Sequence, residues 1–284
     1  RSNIFLQRKT IPTLLGFASN PWANYGKMRN HGYEIVLNYN KRFNKDWNVN
    51  IRGTYSYARN KLIEIDEANG VKGTYRSQTG TQYNELYGYV AERLFTKEDF
   101  DTNGNLLPGI PKQEVGNDVN PGDIKYKDLN GDGVINNEDE TYLGHTVNPH
   151  GIYGFGASVN WKAWDFSFFF QGNVDTWNMI SGSTLEPTGL DTGNYYTNAN
   201  DRWTEDNPSQ NVFYPRAYEF KNSNNTVAST WWMKKMDMCR MKTIELGYSI
   251  PHSILKKIGI NTTRFYISGN NLLLFSGWKL WDPE

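Results

Sequence analysis

The sequence predicts an all-β chain, an antiparallel transmembrane β-barrel with short turns on one side and long loops on the other. Six segments alternate apolar and polar residues with a period of two, the signature of strands with two unlike faces. The segments fall into pairs closed by short connections, while very long connections join one pair to the next. The composition is also unusual: the 284 residues are 15% aromatic and include 26 glycines, yet mean hydropathy is −0.70. No run approaches the ~18–20 apolar residues of a membrane helix. A barrel wall that faces lipid and water by turns keeps its average hydropathy low. A soluble β-sandwich could share this composition, so the pattern has to separate the two.

In the first pair, Tyr33, Ile35, Leu37 and Tyr39 share one face of the first strand. After the connection 41–46, Trp47, Val49, Ile51, Tyr55 and Tyr57 share a face, with Asn48, Asn50, Arg52, Thr54 and Ser56 opposite. The second pair sets Tyr153, Phe155, Ala157, Val159 and Trp161 beside Trp164, Phe166, Phe168, Phe170 and Val174, joined by Lys162-Ala163. Ser158, Asn160, Asp165, Ser167, Gln171 and Asn173 lie on the other side. The third pair, 240–250 and 263–274, is less regular and is joined by 251–260. Ile244, Leu246 and Tyr248 share one face, as do Phe265 and Ile267.

Between the pairs run residues 61–150 and 179–238. Compact soluble domains rarely carry loops above ~12–15 residues without structure of their own. Outer-membrane barrels combine short periplasmic turns with long extracellular loops. The first strand of each pair is therefore expected to run inward and the second outward. Trp47, Trp161 and Trp164 sit beside the short turns, where an interfacial girdle would lie; core packing in a sandwich is the other use for them. Six strands are too few to close a barrel with such polar inner faces, and their open edges would template aggregation. More strands are needed.

Composition excludes several classes. Lys+Arg and Asp+Glu balance at 30 each, so no basic footprint points to nucleic acid. The lone Cys239 forms no internal disulfide and no Cys-x-x-Cys zinc pattern. Residues 1–10 carry no apolar core with a cleavage site, so the chain reads as a piece of a longer protein. His31, His145, His150 and His252 lack any flanking nucleophile signature, and no nucleotide-binding glycine loop follows a strand. No catalytic residue is assigned, and an enzyme is not expected.

Three stretches carry a family resemblance. Arg240-Met241-Lys242-Thr243-Ile244-Glu245-Leu246-Gly247-Tyr248-Ser249-Ile250-Pro251 is similar to the signature Arg-x-Lys-x-Ile-x-Leu-Gly-Tyr-x-x-Pro of SusC/RagA transporters, and continues in register through 255–260 and 268–273. Pro121–Gly133 and Met28–Glu34 resemble further blocks in the same order. The resemblance implies the C-terminal portion (1–284) of a 22-stranded TonB-dependent barrel, with the plug, the earlier strands and the last strand elsewhere. It also implies a multi-pass place in the outer membrane of a Bacteroidetes-like Gram-negative cell. The implied partners are a SusD-like surface lipoprotein, TonB through an N-terminal part, and an oligosaccharide or peptide cargo.

One stretch carries site chemistry by itself. Residues 128–139 match the calcium-loop pattern D-x-[DN]-x-[DN]-G with an acid at position twelve. Side-chain oxygens of Asp128, Asn130 and Asp132, the carbonyl of Val134, Asn136 directly or through water, and Asp139 would bind Ca²⁺. An oxygen-only set selects a hard cation. Aspartate in place of glutamate at the last position resembles dockerin-type loops and would weaken the site or favour Mg²⁺. A plain Asx/Gly turn without metal is the alternative. No clear amphipathic helix precedes Asp128, so a structural clamp is expected rather than a helix-pair sensor. Asp101–Asn105 lacks the later ligands and reads as a turn.

The loop 179–238 also carries Tyr195, Tyr196, Trp203, Tyr214, Tyr218, Trp231 and Trp232. Of these, Tyr195, Tyr196, Trp203, Trp231 and Trp232 are the candidate sugar-stacking residues. Packing of the loop on itself, or on a lid protein, is the competing use. Two alternatives stay open at this stage: a soluble calcium-stabilised carbohydrate-binding β-protein and a barrel enzyme.

Overall fold

The computed structural model describes residues 2–7, 16, 19–116, 118–188 and 195–284. In chain order the strands are β1 (Ser2–Gln7), β2 (Trp22–Arg42), β3 (Trp47–Glu64), β4 (Glu85–Gly88), β5 (Ala91–Leu94), β6 (Lys112–Gln113), β7 (Ile124–Tyr126), β8 (Val134–Ile135), β9 (Thr141–Thr146) and β10 (Gly151–Trp161). They continue with β11 (Trp164–Val174), β12 (Trp177–Met179), β13 (Met233–Lys235), β14 (Met238–Ser249) and β15 (Arg264–Ser276). Two one-turn helices, α1 (Ser223–Thr226) and α2 (His252–Leu255), complete the elements used below.

Seven strands hydrogen-bond into one antiparallel sheet in the order β1-β2-β3-β10-β11-β14-β15. All six expected segments are strands of this sheet. The seventh, β1, pairs with the early part of β2, from Ser2↔Met28 to Gln7↔Trp22. β2 and β3 run well beyond the segments whose alternation is visible in the sequence. The turn expected at 251–260 contains α2 and a further helical turn at Lys256–Ile258. Irregularity in the third pair has a local cause, a register shift between Met241 and Thr243.

The chain divides into two compact units: residues 1–29, 61–147 and 177–234, and residues 30–60, 148–176 and 235–284. In the second unit the register explains the alternation. One rung of cross-strand neighbours is Trp47–Trp161–Trp164–Tyr248–Phe265, aromatic on five consecutive strands. Along the same face follow Val49–Val159–Phe166–Leu246–Ile267 and then Ile51–Ala157–Phe168–Ile244. Tyr55 and Tyr153 share a rung at the other end, to which Phe275 also belongs. Eight residues separate Trp161 from Tyr153, roughly 27 Å of strand.

The opposite face is hydrophilic. Asn50–Ser158–Ser167–Glu245–Ser268 form one rung, and Asn48–Asn160–Asp165 lie in the next. There the Arg264 guanidinium bridges the carboxylates of Asp165 and Glu245. The apolar face is open: Phe265, Ile267, Ile51 and Trp164 are exposed, Ile267 by 72%. Such a face is stable only against another apolar phase.

The first unit has a conventional dry core of Leu94, Phe95, Ile124, Tyr126, Ile135, Tyr214 and Trp232. Short ladders organise it: β4 with β9 and β5 with β7 are antiparallel, while β6 pairs with β8 in parallel. The two long connections thus carry structure of their own. They are also tied to each other: Tyr89 N–H donates to Ala228 O at 2.9 Å, and Thr230 N–H to Tyr89 O at 2.9 Å.

Candidate functional site

Residues 128–139 lie just after β7 and contain β8, so strands and not a helix pair flank the loop. The side chains of Asp128, Asn130, Asp132, Asn136 and Asp139 turn back onto the loop's own backbone. Asp128 Oδ1 accepts from Gly131 N–H at 2.6 Å and its Oδ2 from Gly133 N–H at 2.8 Å. Asn130 Oδ1 accepts from Asp132 N–H, and Asp132 Oδ1 from Val134 N–H. Gly133, at φ +84°, takes the left-handed turn that brings the chain round. Asp139 is 0% exposed; its two oxygens accept from Leu129 and Asn136 N–H at 2.8 and 2.9 Å and close the ends of the loop. Asn136 caps the next helical turn by accepting from Glu138 N–H. Desolvation is the largest single effect on the Asp128 carboxyl and raises it, but the backbone amides of Gly133, Gly131, Asp132 and Asn130 together outweigh it and hold the group below the usual range.

The donor chemistry fits a hard divalent cation, because all six predicted ligand groups offer oxygen. Among the described residues, no three His, Cys, Asp or Glu side chains form a metal-holding group. The amide oxygens of Asn130 and Asn136 and the Val134 carbonyl would have to complete the set. The loop is braced from outside: Tyr75 Oη donates to Glu138 O at 2.6 Å, and Thr141 Oγ1 to Tyr75 O at 2.7 Å.

The strongest polar constellation centres on Asp123, which is fully buried. Its carboxylate accepts from Asn120 N–H at 2.8 Å, Tyr218 Oη at 2.6 Å and Asn225 Nδ2 at 2.7 Å. Asn225 Oδ1 in turn accepts from Ile124 N–H, and Asn224 Nδ2 donates to Ile124 O. Burial pushes the Asp123 carboxyl up in spite of these donors. Glu186, also buried, is pushed up to about 7, first by desolvation and then by the charge of Asp123. Among the described residues its Oε1 has no hydrogen-bond partner. Asp123 lies in the Pro121–Gly133 block, but no spacing in the sequence links it to Tyr218, Glu186 or the polar run Asn222-Ser223-Asn224-Asn225, which caps and begins α1.

The five candidate stacking residues part company. Trp232 is 0% exposed, with its Nε1 donating to Asn225 O at 2.7 Å and its ring against Phe213 and Tyr214. Trp203 is 4% exposed and lies on Gly122, where a Cβ would come within 2.3 Å of the indole; Arg216 stacks 5.6 Å from its ring centre. Neither offers a free stacking face, so the expectation of sugar contact is corrected for Trp203 and Trp232: they pack the loop on itself. Trp231 is half-buried and donates to Phe213 O. Tyr196 is half-buried, its hydroxyl 3.1 Å from Ser183 Oγ. Tyr195 alone stands clear, 75% exposed, and lines a cavity of about 560 Å³ with Pro187, Arg202, Tyr218 and Glu219. A neighbouring cavity of about 340 Å³ is lined by Asp118, Tyr218, Glu219, Phe220 and Lys221.

No protein-family model matches the chain. Among curated proteins it is similar to the TonB-dependent receptor P26 of Formosa agariphila, 28% identical over the whole of this chain and 28% of that protein. It is also similar to the TonB-dependent receptor P3 of the same organism, 28% identical over 97% of this chain and 27% of that protein. The chain thus spans little more than a quarter of the curated relatives it matches. Solved structures of the RagAB peptide transporter, and of the RagAB peptide importer in its open-open state, share the fold. Their TM-scores are 0.68 and 0.71, at 21% identity, covering 99% of this chain and 29% of theirs. The SusC/RagA resemblance, the antiparallel barrel fold class and the outer-membrane location stand together on these findings.

Proposed function

We propose that this TonB-dependent-receptor-like chain supplies wall strands and loops to an outer-membrane importer of oligosaccharides, energised through TonB and assisted by a SusD-like surface lipoprotein. The observation that carries the reading is the two-faced sheet: an apolar side bounded by aromatic rungs, backed by a side of Asn, Ser, Asp and Glu. Lipid on one side and a wet lumen on the other account for both. A soluble carbohydrate-binding protein would have to bury Ile51, Phe166 and Ile267 in a core, and these residues are exposed. The curated relatives are receptors by name.

Oligosaccharide is preferred as cargo because the exposed Tyr195 borders a cavity that also holds planar polar groups, Arg202 and Glu219. Peptide import is the second reading, favoured by the names of the structural neighbours. Deleting the gene should abolish accumulation of a labelled oligosaccharide pool, as should a protonophore. Uptake of labelled peptides lost in the same deletion, with oligosaccharide uptake intact, would transfer the assignment to peptides.

Calcium is proposed as a structural clamp, held by Asp128, Asn130, Asp132, Val134, Asn136 and Asp139. When bound it would neutralise the half-buried Asp128 and the exposed Asp132, and stiffen the 61–147 segment. Extracellular concentrations would keep even a site of ~10⁻⁴–10⁻³ M affinity filled.

A further inference from the structure

Tyr195 and Phe220 stand out among the aromatics of the first unit, 75% and 74% exposed. Leaving such rings in water forgoes the stabilisation that burial gives the other loop aromatics. Each borders one of the two cavities, and the cavities share Tyr218 and Glu219 as a common wall. Both volumes, about 560 and 340 Å³, fall in the ~300–1,000 Å³ range of small-molecule sites.

The wall is held rigidly. The Tyr218 hydroxyl donates to the buried Asp123 at 2.6 Å and accepts from Asn120 Nδ2 at 3.2 Å. Arg216 lies 5.8 Å from its ring centre. Arg202 is fixed as well, donating to Ala199 O at 2.8 Å. The cavities' polar rim therefore carries cations from Arg202 and Lys221 and an acid from Glu219, beside the fixed ring of Tyr218. Pyranose rings present the matching surfaces: an apolar C–H face and a rim of hydroxyls that both donate and accept. A pre-arranged site of this kind avoids much of the ordering cost of binding.

We propose that the two cavities are adjacent subsites for consecutive units of a linear oligosaccharide, with Tyr195 and Phe220 as stacking faces and Tyr218 as the fixed partition. This rests on the oligosaccharide reading above. Tyr195 is a stacking candidate, and Tyr218 one of the loop aromatics, already in the sequence; Phe220, Arg202 and Lys221 enter from the structure.

The test is calorimetric binding to the intact protein in detergent. The probes are di- and hexasaccharides of β-1,3-, β-1,4- and α-1,4-linked glucose, with a mixed hexapeptide pool alongside. Tyr195→Ala and Phe220→Ala, both at exposed positions, should each weaken the bound hexasaccharide by about tenfold. A disaccharide, filling one subsite, should respond strongly to only one of the two. Tyr218→Phe keeps the ring but frees it from Asp123; it should weaken binding of the hexasaccharide less than either truncation. Hexasaccharide binding untouched by both alanine variants would overturn the subsites while leaving the oligosaccharide reading in place. Binding of the peptide pool, with none of the saccharides, would overturn that reading and the subsites with it.

Discussion

Asp123 is a carboxylate in a fully buried position, and three short hydrogen bonds make that position tenable. Breaking such a cluster costs more than forming it gains, because the groups left behind stay buried without partners. Asn225→Ala removes a donor to Asp123 and the acceptor for Ile124 N–H together. It should destabilise the first unit by about 2–4 kcal/mol, read as loss of hydrogen-exchange protection at Ile124 and Tyr126. Glu186 presents the opposite case, a buried carboxyl whose Oε1 lacks a partner among the described residues and which burial pushes up from its ordinary 4.5 to about 7. A group with a raised folded pKa contributes stability that is complete below its unfolded pKa and is lost as pH rises through the folded one. The first unit should therefore loosen between about pH 5 and pH 8, by an amount on the order of 1–3 kcal/mol. Glu186→Gln should flatten that profile and protect the loops at alkaline pH, as measured by protease resistance. An unchanged slope in the variant would assign the loosening to another group.

At the scale of elements, β11 is the clearest test of which face meets lipid. Phe168 sits between Phe166 and Phe170, with Ala157 and Ile244 as cross-strand neighbours, midway between the aromatic rungs. Phe168→Arg should cost about 2–4 kcal/mol of barrel stability, seen as a lower temperature for loss of the compact band on gels. Full stability in that variant would mean the face does not meet acyl chains. For the 128–139 loop, Asp128→Ala with Asp132→Ala should abolish calcium-dependent protease protection of residues 61–147, and protection indifferent to chelator in the parent protein would remove the metal. β10 and β11 are legible in sequence because a strand's two environments are written locally, residue by residue, at period two. The extensions of β2 and β3 are less so, since the added residues have no such clean alternation: Lys27, Arg29 and Asn30 lie among Tyr25 and Met28. Met241–Thr243 misleads in another way, because the bulge shifts the alternation by one residue.

At the scale of the whole molecule, β1 and β15 are the edges of the seven-stranded sheet. Edge strands with exposed apolar side chains, as in β15, pair readily with another chain. Expressed by itself without detergent, this chain should self-associate, giving a broad high-mass peak in size-exclusion chromatography that detergent reduces. A sharp monomer peak in plain buffer would contradict the lipid-facing assignment of Phe265, Ile267 and Phe275.

Most of the sheet was determined by the amino-acid order alone, since alternation, short turns and aromatic placement are properties of neighbouring residues. The ligand types of the 128–139 loop were equally local. Tertiary structure decided what distant segments do to each other. Tyr218 meets Asp123 across 95 positions, and Asn225 meets it across 102. That closure buries Trp203 and Trp232, which look like binding residues in the sequence, and leaves Tyr195 and Phe220 in the open. The reason is physical: whether an aromatic ring is core or surface depends on what packs against it, and for these rings the partners come from far along the chain.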